Sequence, residues 1–131
     1  TCRHLHCTLA DIRQAGMEAG VAVNPASSLA LLEEVFDIID FVLIMSVNPG
    51  LGGQTFLPFS LSKIQRLRQK LETLNLNQVE IEVDGGISLT NIHEIAEAGA
   101  TVFVAGSAIF NAPDPVEMIQ KMKAACTVCN T

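Results

Sequence analysis

Apolar residues recur along this chain in two alternating rhythms. From His4 to Ala19 the spacing is helical, with Leu5, Leu9 and Ile12 at i, i+4 and i+7 and Gly20 as the expected stop. Val21-Ala-Val-Asn24 is a short strand closed by Pro25. Ser27 or Ser28 caps a predicted helix running to about Phe36, with Leu29, Leu32 and Val35 facing inward. Phe41 to Val47 is apolar on both faces, the pattern of a buried parallel strand. An amphipathic helix is predicted from about Leu61 to Leu74, its polar face carrying Lys63, Arg66, Arg68 and Lys70 as ordinary solvated cations. Val79 to Val83 forms the third strand, and Ser88 or Thr90 caps a helix ending near Ala98-Gly99. Val102 to Ala105 is the fourth strand. Asp114-Pro115-x-Glu117 then opens the last helix, with Asp as cap, Pro in the first turn and Glu three residues after the cap.

Strands alternating with helices imply a parallel sheet joined by right-handed crossovers. No linker, low-complexity stretch or charge block divides residues 1–131, which read as one α/β unit built from a repeated βα element.

Composition sharpens this picture. Hydrophobic residues make up 49% of the chain and charged residues 17%, with no Trp or Tyr. Mean hydropathy is +0.37. Such an apolar excess means either unusually complete burial or a hydrophobic surface that wants a partner, and the half-barrel pattern below favours the second. The net charge of −6, with no Lys/Arg run, excludes a broad basic surface for nucleic acid. A single phosphate group can still be held by backbone N–H groups, which require no net positive charge. The apolar run Phe41–Val47 is too short to cross a bilayer. The N-terminal residues have neither a leader-like apolar segment nor an initiator Met, so the expected setting is cytoplasmic, within a longer or processed product. The cysteines are Cys2, Cys7, Cys126 and Cys129. Cys126-Thr-Val-Cys129 has metal-knuckle spacing, but no strand precedes it and it follows the last helix, which favours ordinary thiols.

In parallel α/β folds, chemistry gathers where strands end and helices begin. The unusual residues here lie at those places: Asn24-Pro25, Asn48-Pro-Gly-Leu-Gly-Gly53, Asp84-Gly-Gly86 and Gly106-Ser107. Glycines bare their backbone N–H groups, and several such turns at one end make a phosphate cradle. Asp84 is the acidic residue among them. It can ligate a metal or act as a general acid/base, or it can simply form a turn before Gly-Gly; spacing leaves both open. His4, His6 and His93 fall on helices, away from strand ends. Met45 lies near the end of a buried strand, where site and core are rival readings.

Val47-Asn-Pro-Gly-Leu-Gly-Gly-Gln54, Glu82-Val-Asp-Gly-Gly-Ile87 and Val104-Ala-Gly-Ser-Ala-Ile-Phe110 resemble the signatures of the ribulose-phosphate 3-epimerase family. Val23-Asn-Pro25 and His4-Leu-His6 resemble it too, in the same order and over nearly the whole chain. Leu51 stands where the family usually has Phe. The resemblance implies a partial (β/α)8 TIM barrel: a half-barrel of four parallel strands with flanking helices, the C-terminal half of a single barrel domain. It implies interconversion of D-ribulose 5-phosphate and D-xylulose 5-phosphate, with two carboxylates moving a proton at C3 through an enediolate. It also implies one divalent metal ion (Zn, Fe, Mn or Co) held by two His and two Asp in a homo-oligomeric parent enzyme. Asp84 matches the catalytic and metal-ligating Asp. Gly50, Leu51, Gly52, Gly53, Gly85, Gly86, Gly106 and Ser107 match substrate and phosphate contacts, and Met45 matches a methionine near the reacting carbons. The partner Asp and both His ligands belong to the half that this sequence does not match, so the chain alone is expected to be inactive. Alternatives are an epimerase of a related ketose phosphate such as D-allulose 6-phosphate, and a non-catalytic phosphate-binding half-barrel.

Overall fold

The computed structural model describes residues 4–48 and 55–127. Four strands, β1 (Gly20–Val23), β2 (Phe41–Met45), β3 (Glu80–Asp84) and β4 (Val102–Val104), form one sheet in the order β1-β2-β3-β4. Every neighbouring pair is parallel. Five α-helices accompany them: α1 (Leu5–Gln14), α2 (Phe59–Thr73), α3 (Ile92–Ala98), α4 (Ser107–Phe110) and α5 (Pro115–Ala125). This is the arrangement of a partial (β/α)8 barrel, as expected.

Burial alternates along the strands and separates the two faces of the sheet. Val42, Ile44, Ile81 and Val83 are fully buried and share one core with Leu9 of α1, Ile64, Leu67 and Leu71 of α2, Ile92 and Ile95 of α3 and Met122 of α5. The intervening residues Leu43, Met45, Glu82 and Asp84 are only half-buried, while Ala22 and Val104 are exposed. One face therefore carries the helices and the other lies open.

Several predicted boundaries shift, for local reasons. The first helix stops at Gln14 rather than Ala19. Gly16 (φ +81) turns the chain into the left-handed region, its N–H bonds to the Arg13 carbonyl (2.9 Å), and the Met17 N–H reaches the Ile12 carbonyl (3.3 Å). That pair of bonds is a Schellman stop. Gly20 is instead the first residue of β1, where a Cβ would run into the Phe41 ring. The helix predicted up to Phe36 is replaced by two 3-10 turns, Leu29–Leu32 and Phe36–Ile38, because Val35 (φ −125, ψ 0) leaves the helical region between them. Ser28 does cap, accepting the Ala30 N–H at 3.1 Å. Neither Ser88 nor Thr90 caps α3 through its side chain; these two hydroxyls bond to each other at 2.8 Å. The Ser88 carbonyl accepts the Ile92 N–H instead (3.0 Å). The Asp114 cap forms as expected, its carboxylate accepting the Glu117 N–H at 3.1 Å. The four-residue α4, directly after Gly106, was not anticipated.

The polar face of α2 also needs correction. Arg66 and Lys70 do point outward, but Lys63 is only 5% exposed. Its ammonium donates to the carbonyls of Asn24 (3.1 Å), Pro25 (2.7 Å) and Ser27 (2.8 Å), using all three of its hydrogens. Burial pulls its pKa below the ordinary lysine value, and the nearby Arg66 charge adds to the effect. Arg68 reaches the end of α3 and gives two hydrogen bonds to the Gly99 carbonyl, at 2.9 and 3.1 Å.

Candidate functional site

Parallel strands bring the four strand C-termini to one edge of the sheet. The register places Met45 beside Asp84 and Asp84 beside Val104, so these three form one row across the open face at that edge. Glu82 lies one row below, beside Leu43 and Val102. None of the four strands contains a Lys or Arg. The strands themselves thus offer an anion at this edge backbone N–H groups and no cation.

The Asp84-Gly85-Gly86 turn is the structural hub of the edge. Gly85 has φ +126, and a Cβ there would lie 2.6 Å from a Val47 methyl. Gly86 has φ +68, and a Cβ there would collide with the backbone N of Phe56. Both turn glycines are thus required by sterics as well as by conformation. Val47 precedes the glycine-rich segment and Phe56 follows it, so both stems of that segment seat on this turn. Gly50, Leu51, Gly52 and Gly53 themselves lie outside the described residues.

Ser46 is fully buried just past the end of β2. Its N–H donates to the Asp84 carbonyl (2.9 Å), and its hydroxyl lies 2.6 Å from the Gly85 carbonyl and 3.0 Å from that of Asp84. Its own carbonyl accepts the Leu57 N–H at 2.8 Å. On the far side of the turn, the Asn91 amide donates to the Gly86 carbonyl and accepts the Ser88 N–H, each at 2.9 Å. The N–H groups of Gly86, Ile87 and Ser107 find no partner among the described residues. Gly106 and Ser107 are both exposed at the neighbouring strand end.

Asp84 is half-buried, and its carboxylate makes no hydrogen bond or ion pair among the described residues. The local side-chain turn that could have explained an Asp before Gly-Gly is therefore not formed. No group of three or more His, Cys, Asp or Glu among the described residues comes together to hold a metal ion. Asp84 can offer one carboxylate to such an ion, and the described residues do not complete a site around it. His93 lies on the outer surface of α3, with Nδ1 3.0 Å from the Ala125 carbonyl and Nε2 3.4 Å from Glu97. Cys7 and Cys126 are free thiols, while Cys2 and Cys129 lie outside the described residues. Among the described residues, no helix is long and apolar enough to cross a membrane.

Sequence reasoning overlooked Ser46, Lys63 and Asn91. Ser46 carried a usable signal, as the polar member of the otherwise apolar run Phe41–Val47. Lys63 shares a helical face with the buried Ser60, Ile64, Leu67 and Leu71, so its phase on α2 marked it as inward. Asn91 differs, because only the tertiary placement of the Gly86 carbonyl gives its side chain a task.

An open parallel sheet, with helices on one face and glycine turns clustered at its C-terminal edge, defines a partial barrel of the (β/α)8 class. The crystal structure of 3-hexulose-6-phosphate synthase from Salmonella typhimurium shares this fold, with a TM-score of 0.66 at 23% identity over 92% of this chain and 55% of that one. The chain belongs to the ribulose-phosphate 3-epimerase family, whose profile matches residues 1–110. It is 46% identical over 121 residues to the ribulose-phosphate 3-epimerase of Escherichia coli (strain K12), covering 92% of this chain and 53% of that protein. The Synechocystis sp. enzyme of the same name is 51% identical over 116 residues, covering 88% and 50%. The chain thus spans about half the length of the curated relatives it matches. Use of a divalent metal is general in this family.

Proposed function

We propose that the chain is the C-terminal half of a ribulose-phosphate 3-epimerase, contributing one of two catalytic carboxylates and most of a phosphate cradle. The observation that carries this reading is Asp84: a strand-end carboxylate with no partner among the described residues, beside the Gly86, Ile87 and Ser107 N–H groups, which likewise have none among them. In the assembled enzyme Asp84 removes the proton from C3 on one face of the ketose phosphate. The electron pair of the broken C–H bond enters an enediolate, and a carboxylic acid from the other half returns a proton to C3 on the opposite face. Carbon and phosphate stay in place, and only the configuration at C3 changes. Met45 supplies an apolar wall beside the reacting carbons, and the turns at Gly50–Gly53, Gly85, Gly86, Gly106 and Ser107 hold the phosphate. The substrate is then a ketose phosphate, and the setting is cytoplasmic, in a homo-oligomeric parent enzyme. The chain alone lacks the second carboxylate and is inactive, because removing one acid/base partner costs about 10²–10⁴ in rate.

Reconstitution tests this. The N-terminal half of the Escherichia coli relative is mixed with this chain, and conversion of D-ribulose 5-phosphate is followed together with exchange of the C3 hydrogen in deuterated water. Neither half alone should turn over substrate, the mixture should, and Asp84→Asn should abolish conversion and exchange while the halves still associate. Full turnover by this chain alone, or by the Asp84→Asn mixture, contradicts the proposal.

A further inference from the structure

The Gly85–Gly86 turn is held by its carbonyls from two sides, and this has a geometric consequence. In a trans peptide the C=O of one residue and the N–H of the next point in opposite directions. The Ser46 hydroxyl, 2.6 Å from the Gly85 carbonyl, draws that oxygen toward the buried end of β2. The Gly86 N–H of the same peptide unit must then face away from β2. The Asn91 amide holds the Gly86 carbonyl at 2.9 Å, which turns the Ile87 N–H away from α3. Asn91 cannot reverse its own amide freely, because its oxygen is engaged by the Ser88 N–H at 2.9 Å. The two N–H groups are consecutive and unpartnered among the described residues. Two successive N–H groups of this kind make an anion-binding concavity.

Glycine makes such anchoring necessary. With φ values of +126 and +68, Gly85 and Gly86 occupy backbone regions that residues with a Cβ rarely adopt. The same freedom lets either peptide unit rotate, which would present carbonyl oxygens instead of N–H groups to an anion. We infer that Ser46 and Asn91 are positioning residues: by holding the Gly85 and Gly86 carbonyls they aim the Gly86 and Ile87 N–H groups at a substrate phosphate. This inference rests on the reading above that the strand-end turns bind phosphate.

Amide NMR titration of the 131-residue chain with inorganic phosphate tests it, on the wild type and on Ser46→Ala, Ser46→Cys and Asn91→Asp. Asn91→Asp keeps the acceptor for Ser88 but replaces the donor to Gly86 with a carboxylate oxygen. In the wild type, phosphate should move the Gly86 and Ile87 amide protons downfield. One lost hydrogen bond of about 1 kcal/mol corresponds to roughly fivefold weaker phosphate binding in Ser46→Ala and in Asn91→Asp. Ser46→Cys, which keeps a weak donor, should fall between. Thermal unfolding without phosphate monitors folding, and Asn91→Asp carries the test if Ser46→Ala does not fold. Folded variants that bind phosphate as the wild type does would overturn the inference and leave the phosphate reading standing. A wild type whose Gly86 and Ile87 amides ignore phosphate would overturn both.

Discussion

Replacing Lys63 with Met removes a buried ammonium while keeping most of its aliphatic volume. Three carbonyl oxygens, those of Asn24, Pro25 and Ser27, lose their donor at once. A hydrogen bond to a charged group is worth about 1.5–3 kcal/mol, and each carbonyl left unsatisfied costs about 1–3 kcal/mol. Two effects offset this loss. The Asn24 turn is exposed, so its carbonyl regains water, and the cost of burying the ammonium disappears with it. The net expectation is a loss of about 2–3 kcal/mol, read from urea unfolding as a lower midpoint with an unchanged slope. The pH dependence follows from the lowered pKa. Because the folded chain holds the Lys63 proton less tightly than the unfolded chain, the unfolded state binds more protons between the folded pKa and the ordinary value of 10.5. Stability therefore rises with pH across that window, and the advantage of wild type over Lys63→Met should widen up to 10.5 and then level off. An exposed lysine in an ion pair would show the opposite trend. A loss below about 0.5 kcal/mol would refute the buried three-acceptor clamp, and a gap that narrows with rising pH would refute the burial-lowered pKa.

Two further outcomes test the site. Gly86→Ala should destabilise the chain by about 2–4 kcal/mol, since it combines left-handed strain with a collision against the Phe56 backbone, and urea unfolding measures it. Ser107→Ala in the reconstituted enzyme should raise KM several-fold with little change in kcat, because it removes one hydroxyl from a cradle built largely of backbone N–H groups; an equal fall in kcat would place Ser107 in the chemistry instead.

Much of the architecture was legible because it rests on local rules. The alternation of apolar runs with helical periods specifies parallel strands and crossovers, and β2 and β3 lie within a residue or two of their expected limits. The Asp114-Pro115-x-Glu117 cap needs only its own residues and forms as read. Elements whose ends depend on contacts were less legible. Gly20 reads as a helix stop, yet it is a strand residue because the Phe41 ring occupies the space a side chain would need. The segment after Ser28 reads as one helix, yet it breaks at Val35 into two short turns.

The sequence alone determined which residue types stand at the strand ends: a carboxylate at Asp84, glycines at 85, 86 and 106, and a hydroxyl at Ser107. Their clustering at one edge follows from strand parallelism, which the βα order already implies. Only the tertiary structure decided how those turns are held. Lys63 lies 36 to 39 residues from the carbonyls it binds, and Ser46 lies 39 residues from the Gly85 carbonyl. No local period encodes such pairings. A backbone carbonyl looks the same at every position until the fold brings a donor to it, and only then do a buried lysine and a buried serine acquire their tasks.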